Sequence, residues 1–264
     1  MRDKEILHTF VVLAYKESEH LDECIRSVCT QKYNSNVIIA TTTDNKHIRS
    51  VAKKYNVRVM VGEHKNIGGD FDFAVFCGET DLVTVAHQDD IYEPEYSNTV
   101  VSQYLKHPDA SIIFTDYFEL RGKERVQTNL NLKIKRILLL PMKIKPVAKS
   151  KLLKRSTIRI GNAICCPAVT FVKKNCPKKI FESNFQCNVD WYAWEKLSRR
   201  NGAFIFIKKR LMGHRISTES TTTDIIKKGI RTKEDYEIYS KFWAKPIAKF
   251  LTKIYKNSEK SNEL

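Results

Sequence analysis

Nowhere in the 264 residues is there a run approaching the ~20 consecutive apolar residues that a bilayer-spanning helix requires. Even Ile137–Leu140 is bounded by Arg136 and Pro141, so any membrane contact is expected to be peripheral. Met1–His8 mixes charges with few apolar residues and lacks the pattern of a secretory signal peptide, which sets the expectation of a cytoplasmic protein. The seven cysteines, at positions 24, 29, 77, 165, 166, 176 and 187, include no CxxC pair, and a chain of this size folds without staples. They read as reduced thiols, not as disulfides or a zinc site. Tandem repeats are missing, and low complexity is confined to the last few residues after Lys256. Acid is scarce: Asp and Glu number 30 against 46 Lys and Arg, a net charge of +16 that favours phosphorylated substrates, acidic lipid headgroups or nucleic acid. The lysines are dispersed and no RRM, zinc-finger or helix-turn-helix pattern accompanies them, so nucleic acid is the less expected partner.

What is present is enough apolar residue, 42 %, to bury a core, and a regular alternation of strand and helix patterns. Thr9–Ala14 is a β-branched apolar run, and Leu21, Cys24, Ile25 and Val28 follow at helical spacing within 19–31. The pattern repeats with a strand over 36–41, a helix over 45–55 and a strand over 57–61. A helix over 71–77, a strand over 82–86, a helix over 95–106 and a strand over 111–115 continue it. Short connections between alternating elements imply an α/β fold, a doubly wound and mainly parallel sheet flanked by helices. From Arg121 to Arg159 the periodicity weakens and lysines and arginines accumulate around Pro141 and Pro146, which suggests a mobile or acceptor-facing insertion.

Asp89 and Asp90 follow the strand over 82–86, at the edge of an open α/β sheet where ligands bind. Two carboxylates there suit a hard divalent cation, Mg²⁺ or Mn²⁺, whose shell a diphosphate would complete. The same position would equally suit Asp90 as a helix N-cap.

The segments TFVVLAYKESEHLDECIRSVCTQKY and VTVAHQDDIYEPEY resemble the opening and DxD-bearing segments of family 2 glycosyltransferases, which have the GT-A fold. GNAICCPAVTFVKK resembles their acceptor-side segment, and NVDWYAWEKLSRRNGAFIFIKKRLMGHRIS resembles the segment that carries an acid pair, an aromatic helix and a Tyr-Arg or His-Arg pair. The resemblance spans Thr9 to Thr222 with its motifs in order. It implies a nucleotide-binding part over about 1–120, an acceptor-side part over about 121–222 and a separate tail over 223–264. Ala14, Tyr15 and Glu17 are then expected beside the nucleobase, and Thr42, Asp70, Asp72 and Gln88 about the ribose and donor sugar. By the same resemblance Asp89 holds the metal with Asp90 and His214, Arg215 holds the diphosphate, and Asp190 is the general base. Helix capping is the competing role for Asp70, Asp72 and Asp190, and an internal salt bridge for Arg215. Trp191 and Trp194 share a helix face, with core packing as the default.

The resemblance implies an inverting transfer from a nucleotide-sugar, a UDP-sugar by expectation, to a glycan or lipid-linked acceptor in cell-surface polysaccharide synthesis. His87, Thr41 and Val189 stand where relatives carry acids, so a binding-only relative is the alternative. In the tail, Tyr236, Tyr239, Trp243, Ile247, Phe250 and Ile254 recur at helical spacing, with Lys241, Lys245, Lys249 and Lys253 as a stripe and Pro246 as a kink or break. The plain expectation is that the aromatic face packs on the catalytic part. The sharper one is that helix and insertion rest on an anionic bilayer.

Overall fold

The computed structural model describes residues 6–216 and 229–260, the side chains of 256–260 excepted. Strand β1 (His8–Ala14) feeds helix α1 (Leu21–Cys29), then β2 (Asn36–Thr41), α2 (Lys46–Lys54), β3 (Arg58–Val61), α3 (Ile67–Cys77) and β4 (Leu82–His87). Leu21, Cys24, Ile25 and Val28 turn one face of α1 to the sheet and are all buried. Each such aliphatic burial is worth about 2 kcal/mol, so a charge at Val28 would detach the helix. The Asn45 side chain caps α2 by accepting the Ile48 amide.

The second half adds β5 (Ile91–Tyr92), α4 (Tyr96–Lys106), β6 (Ala110–Arg121), β7 (Glu124–Val126), α5 (Leu130–Leu139), α6 (Lys145–Lys149), α7 (Lys151–Thr157), β8 (Val169–Val172), α8 (Val189–Ser198) and β9 (Ala203–Ile216). Helices α9 (Ile230–Ser240) and α10 (Lys245–Lys260) end the described chain. The sheet runs β3-β2-β1-β4-β8-β6-β9-β5, with β7 on β6. Strands β1 to β4, β6 and β9 point one way, while β5, β7 and β8 oppose them. The expected mainly parallel α/β sheet is what forms.

Order reverses at β1, whose two neighbours are β2 and β4, so the crevice of the fold lies outside the carboxyl ends of these strands. Register levels those ends: Ala14 faces Thr41 and Leu13 faces His87. Tyr15, Thr42 and Gln88 therefore leave the sheet side by side.

Three expectations are corrected. Helix α3 starts at Ile67 behind an Asn66 cap, so Gly68 and Gly69 lie in its first turn, and Asp70 and Asp72 lie inside it instead of capping it. A Cβ on Gly68 would meet the Phe181 carbonyl oxygen at 2.4 Å, which is why only glycine lets α3 approach this loop. The stretch expected to be a mobile insertion is a helical layer: Leu132, Leu139, Met142, Ala148 and Thr157 are buried, and the Lys154 ammonium is buried against the carbonyls of Arg200 and Gly202. The tail is two helices, with Pro246 in the first turn of α10 where its missing amide costs nothing. Its inward face is Ala248, Leu251 and Tyr255, packed near Trp191 and Tyr239, while Ile247, Phe250 and Ile254 face out. The proposed boundary at 222 lies outside the described residues.

Candidate active site

At the end of β1 the chain turns through Lys16, whose φ of 54° is left-handed and unusual for a residue with a Cβ. Two contacts hold it there. The Lys16 amide donates to Thr43 Oγ1 at 2.6 Å, and Gln88 grips both sides of Tyr15, accepting its amide at 2.9 Å and donating to its carbonyl at 3.0 Å. The Tyr15 ring is left exposed beside the crevice, Glu17 is exposed next to it, and Ala14 is buried beneath. Across the crevice, Asp70 accepts from His64 Nδ1 at 2.8 Å and Thr42 Oγ1 at 3.4 Å, and its buried second oxygen, Oδ1, has no protein partner. Asp70 and Thr42 are thus brought together with an acceptor to spare. Asp72 is not among them. Its carboxylate accepts the amides of Ile180, Phe181 and Glu182, which fastens a loop and leaves it unsuited to the donor contact expected of it. Burial nonetheless pushes its acid upward.

Past β4 the chain makes a turn in which the Asp90 amide returns to the His87 carbonyl. Antiparallel pairing of Ile91 with Gly213 places the residues beyond them, Asp90 and His214, in contact. Asp90 is fully buried and accepts from His214 Nδ1 at 3.1 Å and the Arg215 amide at 2.8 Å. Burial alone would raise its acid, but the histidines and the amide outweigh it and the net shift is downward. Asp89 moves the opposite way, raised by burial and by the adjacent Asp90. His214 is raised: burial opposes its charge and Asp90 overcomes that.

Among the described residues, ligand atoms of His87, Asp89 and Asp90 lie within 4.8 Å of one another, the arrangement a metal ion needs. His87 Nε2 is buried with no protein partner, which leaves a ligand nitrogen available beside the two acids. The mixed imidazole and carboxylate set fits a divalent cation. His87 was overlooked because in sequence it marks only a missing acid. His214, expected as a ligand, instead orients Asp90. Arg215, expected on the diphosphate, is taken up by the Asp89 carbonyl at 2.8 Å and Glu23 at 2.6 Å, so it staples the turn to α1.

Asp190 stands in the first turn of α8, accepting the Trp191 amide and Asn162 Nδ2, each at 2.7 Å. It is not the helix cap; Asn188 occupies that position. Burial raises its acid above the ordinary carboxylate range. Trp191 and Trp194 are both fully buried core residues. Two further residues escaped the sequence reading. Lys135 of α5 donates to Tyr117 Oη at 2.9 Å, and its charge bears on Asp190, His214 and Cys165. Asp90 and Asp190 also both act on the buried Cys165 thiol, whose acid is raised by burial, so the two carboxylates stand in the same neighbourhood. Glu234 of α9 accepts the amides of Gln186, Cys187 and Asn188, the loop that leads into α8. No spacing rule would have found either.

Residues 9–175 match the family model described as Glycosyl transferase family 2. No protein of curated function matches the chain in sequence. Among solved structures, residues 1–349 of TarS from S. aureus align over 94 % of this chain and 69 % of theirs, with 12 % identity and a TM-score of 0.60. The same fragment in complex with UDP-GlcNAc gives a TM-score of 0.58 at 12 % identity, over 94 % of this chain and 70 % of that one. The mannosyltransferase PcManGT from Pyrobaculum calidifontis, in complex with GDP-Man and Mn2+, aligns over 96 % of this chain and 75 % of its own at 9 % identity and a TM-score of 0.62. At such identities the likeness is one of fold, of the GT-A type.

Proposed function

Because the chain belongs to glycosyl transferase family 2, we propose that it is a metal-dependent, inverting glycosyltransferase. It moves a sugar from a nucleotide-diphosphate-sugar to a hydroxyl of a glycan or lipid-linked acceptor in cell-surface polysaccharide synthesis. The observation that carries this reading is the group His87, Asp89 and Asp90 at the switch point of the sheet, with the buried acid Asp190 in the neighbourhood of Cys165, which Asp90 also influences.

Tyr15, clamped by Gln88, offers a flat apolar face for the base, and Asp70 with Thr42 offers acceptors and a hydroxyl for the ribose. His87, Asp89 and Asp90 hold a divalent cation, Mn²⁺ or Mg²⁺. When bound, the cation supplies charge against that building on the leaving diphosphate. Lys135 adds a fixed positive charge between the two halves. Asp190 accepts the proton of the acceptor hydroxyl as that oxygen bonds to the anomeric carbon and the bond to the diphosphate breaks. Its raised acid suits this, since a base that is harder to ionise holds the transferred proton better. The UDP-GlcNAc complex of TarS makes a UDP-sugar the first donor to try, and the GDP-Man complex of PcManGT the second.

Incubation with UDP- and GDP-sugars plus Mn²⁺ or Mg²⁺, reading nucleoside diphosphate release, tests this. Turnover that Asp89→Asn and Asp190→Asn both abolish supports the transferase. Thermal stabilisation by nucleotide without turnover would point to the binding-only relative, for which buried Val189 in the acid's place is the favouring observation.

A further inference from the structure

The helices that cover the acceptor side of the sheet carry apolar side chains on their outer faces. On α5, Leu130, Ile134 and Ile137 stand four and seven residues apart on one face, exposed by 75 %, 48 % and 64 %, while Leu132 and Leu139 on the other face are buried. Leu140 and Ile144 continue the exposed row into the next turn, and Leu152 of α7 is 79 % exposed. On α10, Ile247, Phe250 and Ile254 repeat the pattern, with Phe250 exposed by 63 %. The two parts meet: the Trp243 indole donates to the Arg159 carbonyl, the Tyr239 hydroxyl to the Ile160 carbonyl, and the Tyr255 ring lies against Gly161. Scattered surface leucines are ordinary, but apolar rows on successive helices of one layer are not.

The charge on the helices themselves is mostly positive. From Arg125 to Phe181 the sequence has no Asp or Glu, and Lys133, Lys143, Lys145, Lys151, Lys249 and Lys253 are exposed beside the apolar rows. A cleft of about 730 Å³ opens at Leu140, with Phe206 and Leu211 as apolar walls and five Lys and Arg residues against the two acids Glu95 and Asp116 around it. Apolar rows rimmed by lysine fit the interfacial plane of an anionic bilayer, where the side chains enter the headgroup boundary and the lysines meet lipid phosphates.

We propose that α5, its continuation through Ile144, α7 and α10 form a surface that seats the protein on an anionic lipid bilayer. Docking rests on this surface alone; its use, to bring a lipid-linked acceptor to the site, rests on the transferase reading above. Lys135, on the face of α5 opposite Ile137, points inward to Tyr117, so the helix presents one face to the lipid and the other to the body of the protein.

The test is co-sedimentation of the full chain with vesicles of phosphatidylcholine alone or mixed with phosphatidylglycerol, at low and physiological salt. Binding is expected to the mixed vesicles, weakened by salt. Ile134→Ser with Ile137→Ser, and separately Phe250→Ser with Ile254→Ser, should each weaken it about tenfold or more. Lys133→Gln and Lys145→Gln should each weaken it about fivefold, the equivalent of ~1 kcal/mol. All these side chains are exposed, so melting temperature and vesicle-free donor hydrolysis should stay unchanged. No sedimentation at low salt overturns the proposal. So does equal binding by the serine variants, or a dimer in solution that those variants dissociate, which would make a second copy the occupant. Vesicle binding without donor turnover leaves docking standing and removes the transferase reading; turnover without vesicle binding does the reverse.

Discussion

The Glu234 carboxylate accepts the Asn188 amide at 2.9 Å, and through that contact and its bonds to the amides of Gln186 and Cys187 a C-terminal helix sets where Asp190 stands. The neighbouring Asp235 takes the Asn188 side chain at 2.7 Å. The tail therefore helps hold the segment that carries Asp190, both lying beyond residues 9–175 that match the family.

Glu234→Ala removes a charged acceptor from three amides and should cost on the order of 3 kcal/mol of stability. Turnover should fall with donor KM little changed, because the loop it holds leads to the base and not to the nucleotide. Glu234→Gln should recover part of both. Melting curves and a kcat against KM comparison check this.

Asp190→Asn keeps one acceptor oxygen for the Trp191 amide, and its amide nitrogen can donate to Asn162 Oδ1 once that side chain turns over, so the fold should persist while turnover drops about 10² to 10⁴-fold. Since burial raises the Asp190 acid, the wild-type rate should climb with pH through a titration above the usual carboxylate range, and the variant should lose that limb. Pre-steady-state rates across pH decide it.

Asp89 and Asp90 should respond in opposite ways. Asp89→Asn removes a buried charge that Asp90 repels, so metal-free stability should rise slightly while stabilisation by Mn²⁺ disappears. Asp90→Asn weakens its bonds to His214 and the Arg215 amide and should lower the melting temperature even without metal, by the equivalent of about 1 to 3 kcal/mol. Chelation should abolish wild-type turnover and readdition of Mn²⁺ restore it. Thermal shifts with and without Mn²⁺ read the contrast.

Lys135→Gln removes the fixed cation near Asp190 and His214 while leaving a group able to reach Tyr117. Turnover should fall about tenfold or more, as expected of a fixed charge that acts on Asp190 and His214. Initial rates over a donor and acceptor matrix show which substrate it serves.

His8 is buried between Ser35 Oγ at 2.9 Å and Thr84 Oγ1 at 2.8 Å, and burial pushes its imidazole down from 6.5 to about 3. The folded chain holds it neutral while the unfolded chain protonates it. Its share of stability is therefore complete above 6.5 and falls as pH drops toward about 3, by ~1.4 kcal/mol per pH unit. His8→Gln should flatten that part of the curve. Denaturant midpoints at a series of pH values provide the check.

Much of this was legible in the residues. The alternation from Thr9 to Thr115 forecast β1 to β4 and the start of β6, though not the short β5, because a parallel sheet covered on both faces demands apolar runs with amphipathic helices between them. Asp89 and Asp90 were visible as acids following an apolar run, and Asp190 only through the resemblance of its segment. His87 was not, since a histidine in an acid's place signals loss until the turn brings its ring beside the two carboxylates. The basic stretch misled for a like reason: Lys135, Arg136, Lys154 and Arg155 turn inward to Tyr117, Asp116, backbone carbonyls and Glu195, and spacing alone does not separate them from lysines facing solvent.

The sequence by itself determined the class of fold, the edge of the sheet where chemistry is possible and the excess of positive charge, because periodicity and composition are local properties. The tertiary structure decided which groups meet. Asp72 was drawn to a loop more than a hundred residues away, Arg215 to Glu23, Glu234 to the amides ahead of Asp190, and the apolar row of α10 outward. A buried carboxylate or guanidinium must find partners wherever the packed chain supplies them, and that choice depends on distances no linear pattern contains.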